Sequence, residues 1–535
     1  MVIIYILIIS LVLILALLAM RVSNDLKIPQ LLLFMLLGVS FNFFGADFTN
    51  YDFSNQVASL ALMFIIFYGG FGTKWKMSKP VAKEAIILSF LGTILTALLT
   101  GLFVYLVFDF SLLEAMLLGS IVGSTDYASV SDVLSSRQLK LKYNADSLLE
   151  LESGSNDPTA YTMVVLFVSL LNGENVNVPS LIFLQFGLGL LLGFALGWIF
   201  IRLLNYLKSR EGLEVILLAA AALFTYEFTN QIGGNGYLAV YIFGIYIGNK
   251  EFLGKREVVF FFDSFTNLAQ IGLFFLLGLL SNPSSIVSMM PIALVIMLFM
   301  TIIARPAAVF GLMYPFKMKK NQLTVIAFAG LRGAAAIAFA ISVINSDTPS
   351  MNDLYHIVFD ICLLSSLIQG GLLPVISQKT NMVDPEDASL RNFNSLQDKS
   401  DVGFLATKIK EDSPLVNTYI RDISLAFEFI IAKVLRQGET IVPNGDVQLL
   451  AGDIVVLAGR SYFDVVGTDL LEFRINHYNH WVDKKINSIK LDRSALIVLV
   501  LRDDNELIVP NGDTVILEGD TVLVLGPNEI KGKIL

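Results

Sequence analysis

The chain has 535 residues, of which 55% are hydrophobic and 16% charged, with a formal net charge of −9 and one cysteine, Cys362. A soluble protein carries about 25% charged residues, so this composition predicts a polytopic α-helical membrane protein. It excludes a disulfide framework and a cysteine-rich metal site, and the acidic balance argues against a nucleic-acid partner.

The sequence changes character near residue 380. Before it, apolar runs follow one another, each close to the ~20 residues that a helix needs to cross a bilayer. Residues 381–402 are polar and predict a linker, and the sequence beyond them is that of a soluble protein. We therefore predict a transmembrane domain at residues 1–380 and two soluble modules at residues 403–461 and 462–535.

The apolar runs predict about thirteen transmembrane helices. The first run lacks the basic start and the cleavage site of a signal peptide, so we expect it to span the membrane. The predicted spans lie near residues 2–20, 30–45, 57–72, 85–107, 112–135, 147–171, 179–205, 212–229, 236–249, 262–280, 285–314, 322–345 and 353–377.

The loops between these spans alternate in charge. Lys and Arg occur in every second loop, whereas the intervening loops, such as residues 45–52, 172–177 and 345–353, contain neither. By the positive-inside rule, this alternation places the N-terminus outside the cell membrane and the C-terminal modules in the cytoplasm.

Three polar clusters interrupt the apolar spans. They are residues 123–126 in the fifth span, residues 152–157 in the sixth, and residues 330–334 in the twelfth, with Arg305 near the end of the eleventh. Glycines beside polar residues in the fifth and twelfth spans predict two broken helices, one in each half of the chain, as an inverted repeat would place them. Broken helices expose carbonyl groups and helix ends, which transporters use to hold ions.

The sixth span contains two carboxylates, Glu152 and Asp157. An ionised group at the centre of a bilayer costs about 2.5–3.5 kcal/mol on insertion scales, so such groups indicate a path for ions or protons. Ser153 and Asp157 are four residues apart and share one helix face, whereas Glu152 and Asn156 share the adjacent face. Asp157 can therefore face a cavity while Glu152 points elsewhere. The Ser and Asn side chains alone would be better explained by hydrogen bonds between helices.

The two arginines in these spans need partners, because a lone charge in a low-dielectric interior is costly. Glu152 can neutralise one of them, and Asp126 or the ends of the broken helices can neutralise the other. Arg305 lies near the end of its span and can alternatively extend to the membrane surface, whereas Arg332 lies deeper.

At these residues the chain resembles the monovalent cation/proton antiporter superfamily over roughly residues 1–380. The resemblance rests on Ser124-Thr125-Asp126, on Leu151-Glu152-Ser153-Gly154-Ser155-Asn156-Asp157-Pro158, on Ile303-Ala304-Arg305 and on Gly330-Leu331-Arg332-Gly333-Ala334, which occur in that order. The second of these motifs most resembles the potassium/proton, cell-volume-regulation branch.

The resemblance implies a homodimer in which a core domain moves against a dimerisation domain within the lipid bilayer. It implies that Asp157 binds a monovalent cation or a proton, helped by Thr125, Asp126 and Ser153, and that Glu152 and Arg305 form a structural ion pair. Asn156 before Asp157 resembles the electroneutral members, which exchange one cation for one proton. Potassium or sodium and protons would be substrates, no cofactor is implied, and the role would lie in ion transport and pH homeostasis.

The tail contains an internal repeat. Residues 441–460 and 508–527 both begin with the sequence IVPNGD, a turn signal, and both contain Gly-Asp before a second apolar run. These units resemble the RCK C-terminal (TrkA-C) module, present twice in an α+β regulatory domain, with a short helix expected at residues 463–473. That family implies control by a small ligand, of which cyclic di-AMP or another nucleotide is one class, although the module can also serve only to strengthen the dimer.

Several basic or aromatic side chains of the tail can contact phosphates or bases, although any one of them can equally belong to a solvated surface. These candidates are Arg421, Arg436, Arg474, His477, His480 and Trp481.

The leading hypothesis is exchange of potassium for protons, and exchange of sodium for protons is the first alternative. A ligand-gated cation channel would keep the regulatory tail, but no Thr-Val-Gly-Tyr-Gly-like filter is present. The sequence contains no nucleophile–base pairing or metal-ligand cluster that would favour an enzyme.

Overall fold

The structure is a computed structural model in which the chain forms two compact units, Met1–Ser389 and Leu390–Leu535. It describes residues 2–26, 29–43, 48, 50–137, 139–207, 213–250, 252, 254–345, 353–384, 402–409, 411, 413, 415–423, 430–436, 439–460, 470–475, 479–489, 496–502, 506–508 and 510–525.

The first unit is built from helices throughout its described part. They are α1 (Val2–Leu26), α2 (Gln30–Asn42), α3 (Tyr51–Gly72), α4 (Trp75–Ser78), α5 (Ala82–Ile87), α6 (Thr93–Val107), α7 (Leu112–Ile121), α8 (Tyr127–Ser136), α9 (Ala145–Leu171), α10 (Val178–Leu207), α11 (Leu213–Gln231), α12 (Gly236–Gly248), α13 (Lys255–Leu279), α14 (Pro283–Phe299), α15 (Arg305–Met313), α16 (Lys320–Phe328), α17 (Ala334–Asn345), α18 (Leu354–Leu364) and α19 (Gly370–Lys379).

Each predicted span coincides with one or more of these helices. Among the described residues, seven helical segments are long and apolar enough to cross a membrane by themselves. The multi-pass membrane fold is confirmed, while the number of thirteen crossings stays a prediction. The shorter apolar helices include α2, α7, α12 and α17, two of which are halves of the predicted broken spans.

The two predicted helix breaks are both present. Residues 122–126 separate α7 from α8, and residues 329–333 separate α16 from α17. The breaks meet, since the backbone N–H of Asp126 donates to the carbonyl of Leu331 at 2.8 Å. Each break therefore satisfies a backbone group of the other, which lowers the cost of interrupting a helix away from water.

Three further helical spans of this unit are interrupted by π-helical turns at Leu88–Gly92, Met300–Ala304 and Ser365–Gln369. A π-helical turn inserts an extra residue into the helical repeat and so re-aims the side chains that follow, frequently at functional sites. Arg305 comes directly after the second of them. It is buried, with a relative exposure of 1%.

The helices pack into two bundles. In one, α13 packs on α2 and α3, and α12 packs on α3, α10 and α11. In the other, which we call the core bundle, α7 packs on α6 and α9, α18 packs on α14 and α17, and α15 packs on α16. The bundles meet where α3 packs on α17 and α12 on α9, so the sixth and twelfth spans lie at the boundary between them.

The described part of the second unit consists of strands and short 3₁₀ turns. Its strands are β1 (Val402–Lys408), β2 (Ile430–Arg436), β3 (Glu439–Ile441), β4 (Ile454–Arg460), β5 (Leu470–Arg474), β6 (Lys484–Lys485), β7 (Leu496–Arg502), β8 (Glu506–Ile508), β9 (Val515–Ile516) and β10 (Thr521–Leu525). Two antiparallel sheets have the orders β1-β4-β2-β3 and β5-β10-β7-β8, and β6 pairs with β9. The two sheets share one topology, as the sequence repeat predicts.

The prediction of a helix at residues 463–473 is wrong for the last four of these residues. Residues 470–473 belong to β5, which pairs antiparallel with β10, and Phe473 lies opposite Val522. Pairing with an apolar strand outweighs the weak helical preference of so short a segment. Residues 463–469 lie outside the described residues.

An Arg–Asp pair recurs at the same place in both modules. Arg436 donates from Nε and Nη2 to the carboxylate of Asp453 at 2.9 and 2.8 Å, and Arg502 makes the same two bonds to Asp520 at 3.0 and 2.8 Å. Both aspartates belong to the repeated Gly-Asp dipeptide and are 1% exposed. Hydrogen bonds from the Arg436 guanidinium lower the pKa of Asp453 below its usual value.

Acid should weaken the first module through this pair. Because the folded-state pKa of Asp453 lies below its unfolded value, the stabilisation is complete above a pH of about 4 and is lost as pH falls through the folded pKa. Circular dichroism of residues 403–535 should therefore show a Tm that falls more steeply in acid for the wild type than for Asp453→Asn. Asp446→Asn is the control, since the carboxylate of Asp446 is 83% exposed. Parallel acid profiles for the wild type and Asp453→Asn would contradict the role of the pair.

Candidate functional site

A cavity of about 380 Å³ lies between the two bundles. The break between α7 and α8, helix α9 and the start of α17 line it on one side, and α3 and α13 line it on the other. No Lys or Arg is among the described residues that line this cavity. Five carboxylates line it, namely Asp126, Asp132, Glu150, Asp157 and Asp263. Such a cavity concentrates cations and repels anions.

Hydrogen bonds from α9 hold the first helix break in place. The hydroxyl of Ser124 donates to the Oδ1 of Asp157. Ser153 Oγ donates to the carbonyl of Thr125 at 2.8 Å and accepts from the backbone N–H of Tyr127 at 2.9 Å. Ser153 and Asp157, one turn apart, therefore both face the break and the cavity.

Asn156 lies behind this surface and is fully buried. Its Nδ2 donates to Thr125 Oγ1 at 2.5 Å, and it is not among the residues that line the cavity. The structure thus brings Thr125, Asp126, Ser153 and Asp157 to the cavity wall, while Asn156 supports the wall from within the core bundle.

Asp126 caps the helix that follows the break. Its Oδ1 accepts from the backbone N–H of Ala128 at 3.0 Å, and its Oδ2 accepts from the hydroxyl of Ser129 at 2.6 Å. A carboxylate is stabilised at a helix N-terminus by the free N–H groups and the helix dipole. Asp126 also explains Gly333, because a Cβ at that position would lie 2.0 Å from Asp126 Oδ2.

Arg332 meets the other end of the same break. It is 3% exposed, and its Nη1 donates to the carbonyls of Gly123 and Ser124 at 2.7 and 2.5 Å. These carbonyls follow the C-terminus of α7, where the helix dipole favours a cation. Of the two partners that the sequence left open for this charge, the helix end is the one that Arg332 contacts.

Glu152 and Arg305 lie together in the core bundle. Arg305 Nη2 is 2.6 Å from Glu152 Oε1, and both side chains are at most 2% exposed. This burial leaves no room for Arg305 to extend to the membrane surface. Neither residue lines the cavity, so the pair is separate from the groups that face it.

Gly154 marks a close approach of the two bundles. A Cβ at this position would lie 2.4 Å from the ring of Tyr241 on α12. The small residue inside the polar run of α9 therefore lets an aromatic side chain of the facing bundle reach the helix backbone beside Ser153.

Sequence reasoning missed three carboxylates and one helix face. Glu150, Ser153 and Asp157 occur at i, i+3 and i+7 of α9, a spacing that could have placed Glu150 on the cavity side. Asp132 lies on α8. Helix α13 contributes a polar face that interrupts its apolar sequence and lines the cavity with Asp263, Thr266, Asn267 and Gln270.

Residues 9–379 match the family described as sodium/hydrogen exchanger, transmembrane. The chain belongs to this family of exchangers. The tail of this exchanger matches the TrkA-C domain twice, over residues 406–461 and 470–530. Both resemblances drawn from the sequence motifs are therefore confirmed.

Named relatives extend over most of the exchanger. It is 31% identical over 451 residues to the K(+)/H(+) antiporter NhaP2 of Shewanella sp. (strain MR-4), covering 82% of this chain and 78% of the relative. It is 27% identical over 475 residues to the K(+)/H(+) antiporter NhaP of Alkalimonas amylolytica, covering 87% and 83%. The Na(+)/H(+) antiporter ApNhaP of Aphanothece halophytica is 24% identical over 396 residues, covering 69% and 73%.

A solved structure shares the fold. The sodium proton antiporter MjNhaP1 from Methanocaldococcus jannaschii at pH 8 superposes with a TM-score of 0.63 at 23% identity, covering 71% of this chain and 99% of that one. At this identity the likeness concerns the fold of the transmembrane unit.

Removing one charge of the Glu152–Arg305 pair should destabilise the exchanger more than removing both. A buried charge left without its partner costs about 3–5 kcal/mol, whereas neutral replacement of both partners often costs little. We expect Glu152→Gln and Arg305→Gln each to lower the Tm of the detergent-purified chain by more than the double variant does. A double variant as unstable as the sum of the single variants would show that the charges do not compensate each other.

Proposed function

We propose that this chain is a secondary antiporter that exchanges potassium for protons across the cell membrane. The observation that carries the proposal is Asp157, a half-buried carboxylate that faces a cavity lined by five carboxylates and, among the described residues, by no basic side chain. Relatives that bear the name K(+)/H(+) antiporter at 31% and 27% identity support the choice of ions.

The electrostatics of the break explain why Asp157 is the exchange site. Asp126 is held by a helix N-terminus, Arg332 by helix carbonyls, and Glu152 by Arg305. The partner of Asp157 among the described residues is the neutral hydroxyl of Ser124. Its charge is left to be neutralised by what enters the cavity, namely a proton or an alkali cation.

Competition for one carboxylate gives coupling. If the core bundle moves only when Asp157 is neutral, it carries either a cation or a proton in each direction, because moving a bare charge through a low-dielectric barrier is costly. Thr125, Asp126 and Ser153 line the site beside Asp157, and Asn156 holds Thr125 in place. Asn156, an amide in the position before Asp157, adds no second charge, which agrees with the exchange of one cation for one proton.

Sodium is the second candidate for the transported cation. It is favoured by the family description and by the relative named Na(+)/H(+) antiporter ApNhaP. Purified chain in liposomes, driven by potassium or by sodium gradients of equal size, separates the two through the initial rate of proton movement. We expect the potassium-driven rate to be the larger.

The remaining parts of the proposal concern orientation, assembly and control. The charge alternation of the loops supports an outside N-terminus and a cytoplasmic tail, and we propose a homodimer whose two tails carry the TrkA-C modules. Two such modules per chain support control of exchange by a small ligand, with cyclic di-AMP as the ligand class to test first. Two of the suggested contacts already serve the fold, since Arg436 binds Asp453 and Trp481 is buried in the second module.

The other basic or aromatic side chains suggested for the ligand have different surroundings. Arg421 pairs with Asp446 at the surface, and His480 is exposed. The side chain of Arg474 and the whole of His477 lie outside the described residues.

Substituting the exchange site should abolish coupled transport. In everted vesicles with a pH-sensitive dye, we expect potassium-driven dequenching in the wild type and none in Asp157→Asn, because the amide can neither release a proton nor neutralise a cation. Asp109→Asn, at an exposed aspartate outside the cavity, is the matched control and should transport like the wild type. Full dequenching by Asp157→Asn would refute the mechanism.

The tail should bind cyclic di-AMP. Isothermal titration of residues 403–535 is expected to give a saturable heat, and the full-length chain in detergent should show a raised Tm, because a ligand that binds only the folded state stabilises it. AMP at the same concentration is the control ligand. Absence of heat at high ligand excess, together with an unshifted Tm, would remove cyclic di-AMP from the proposal.

A further inference from the structure

We infer that the polar face of α13 is the second half of the cation site and helps to determine which alkali cation the exchanger selects. This face consists of Asp263, Thr266, Asn267 and Gln270, and it lines the same cavity as Asp157 from the opposite bundle. The inference rests on the proposed function and deepens it by assigning cation ligands that lie outside the family motifs.

Several oxygen atoms beside Asp157 already have hydrogen-bond partners. Ser153 Oγ both donates and accepts, Thr125 Oγ1 accepts from Asn156, and both carboxylate oxygens of Asp126 accept hydrogen bonds. An alkali cation that sheds water needs several oxygens in its place, and their number and field strength set selectivity. The oxygens on the opposite wall can therefore add ligands to those that surround Asp157.

Helix α13 presents the missing oxygens in a regular pattern. Its four polar residues occur at i, i+3, i+4 and i+7, which places them on one helix face. Polar side chains within a membrane-crossing helix are costly unless they meet a partner, water or a substrate. These four residues line the same cavity as Asp157, where a bound cation would be a partner for their oxygen atoms.

The hydroxyl of Thr266 supports the assignment of this face as a ligand surface. Its side chain is 8% exposed, it lines the cavity, and its buried Oγ1 has no hydrogen-bond partner among the described residues. A threonine inside a helix ordinarily satisfies its hydroxyl by bonding the carbonyl one turn earlier, as Thr225 does with Ala221 at 2.7 Å. The hydroxyl of Thr266 is instead left for a group that enters the cavity.

Asp263 supplies charge one turn from Thr266. Its Oδ1 accepts from the hydroxyl of Tyr68 on α3 at 3.1 Å, which fixes the carboxylate at the cavity wall. A negative charge at this place favours a cation over any neutral or anionic occupant. Helix α13 belongs to the bundle opposite the core bundle. Its oxygens can therefore contribute to the site only when the two bundles are placed so that both line the same cavity.

The test measures cation affinity and selectivity of the full chain in liposomes. For Thr266→Val we expect the apparent KM for potassium to rise about threefold or more, and for Asp263→Asn about tenfold, as loss of one neutral or one charged ligand implies. The ratio of the KM values for potassium and sodium should change in both variants, and the maximal rate should fall by less than KM rises. Thr266→Ser keeps the hydroxyl and should lie closer to the wild type than Thr266→Val.

Matched controls come from positions away from the cavity. Thr225→Val removes a buried hydroxyl on α11, and Glu257→Gln removes an exposed carboxylate on α13 itself. KM values for both cations in Thr266→Val and Asp263→Asn that match these controls would overturn the inference, as would a loss of maximal rate at unchanged KM. If Thr266→Val does not accumulate in the membrane, Asp263→Asn decides by the same criterion. Wild-type liposomes without cation-driven proton movement would instead refute the proposed function, and this inference with it.

Discussion

Charge neutralisation inside a low-dielectric bundle governs the architecture of the transmembrane unit. Four charged groups around the two helix breaks each have a different kind of partner. Asp126 is held by the N-terminus of α8, Arg332 by the carbonyls after α7, and Glu152 by Arg305. Asp157 has a neutral hydroxyl as its partner. Among these four groups, the arrangement therefore leaves Asp157 without a charged or helix-end partner on the wall of the cavity, as the proposed exchange site requires.

Hydrogen bonds at the two helix breaks lower the free-energy cost of interrupting helices within the membrane. An interrupted helix exposes N–H and C=O groups that lipid cannot satisfy. Here the two breaks bond to each other through Asp126 and Leu331, and α9 bonds to the first break through Ser153 and Asn156. The same bonds that satisfy the backbone also fix the oxygens around Asp157. Stability of the break and construction of the site are consequently one network.

The two modules of the tail are stabilised by the same Arg–Asp pair. Each module is a small sheet with a small apolar core, and each places an Arg–Asp pair at the turn that precedes its central strand. The duplicated sequence thus yields duplicated structure down to individual hydrogen bonds.

The sequence by itself determined the class of protein, its division near residue 380, the helix breaks and part of the set of polar residues around Asp157. These follow from local rules: apolar runs of membrane length, glycines beside polar residues, and i, i+4 spacing on one helix. The repeat in the tail was equally visible, because identical turn residues recur at fixed distance.

Only the tertiary structure decided how these parts combine. Arg332 had two possible partners in the sequence, and the packing of α17 against the first break placed it on the carbonyls of Gly123 and Ser124. Asn156 proved to lie behind the cavity wall, and residues 470–473 became a strand through pairing with β10. The packing of the two bundles also placed the polar face of α13 on the same cavity as Asp157. Contacts between segments that lie far apart in the sequence leave no local pattern, so no spacing rule could have supplied them.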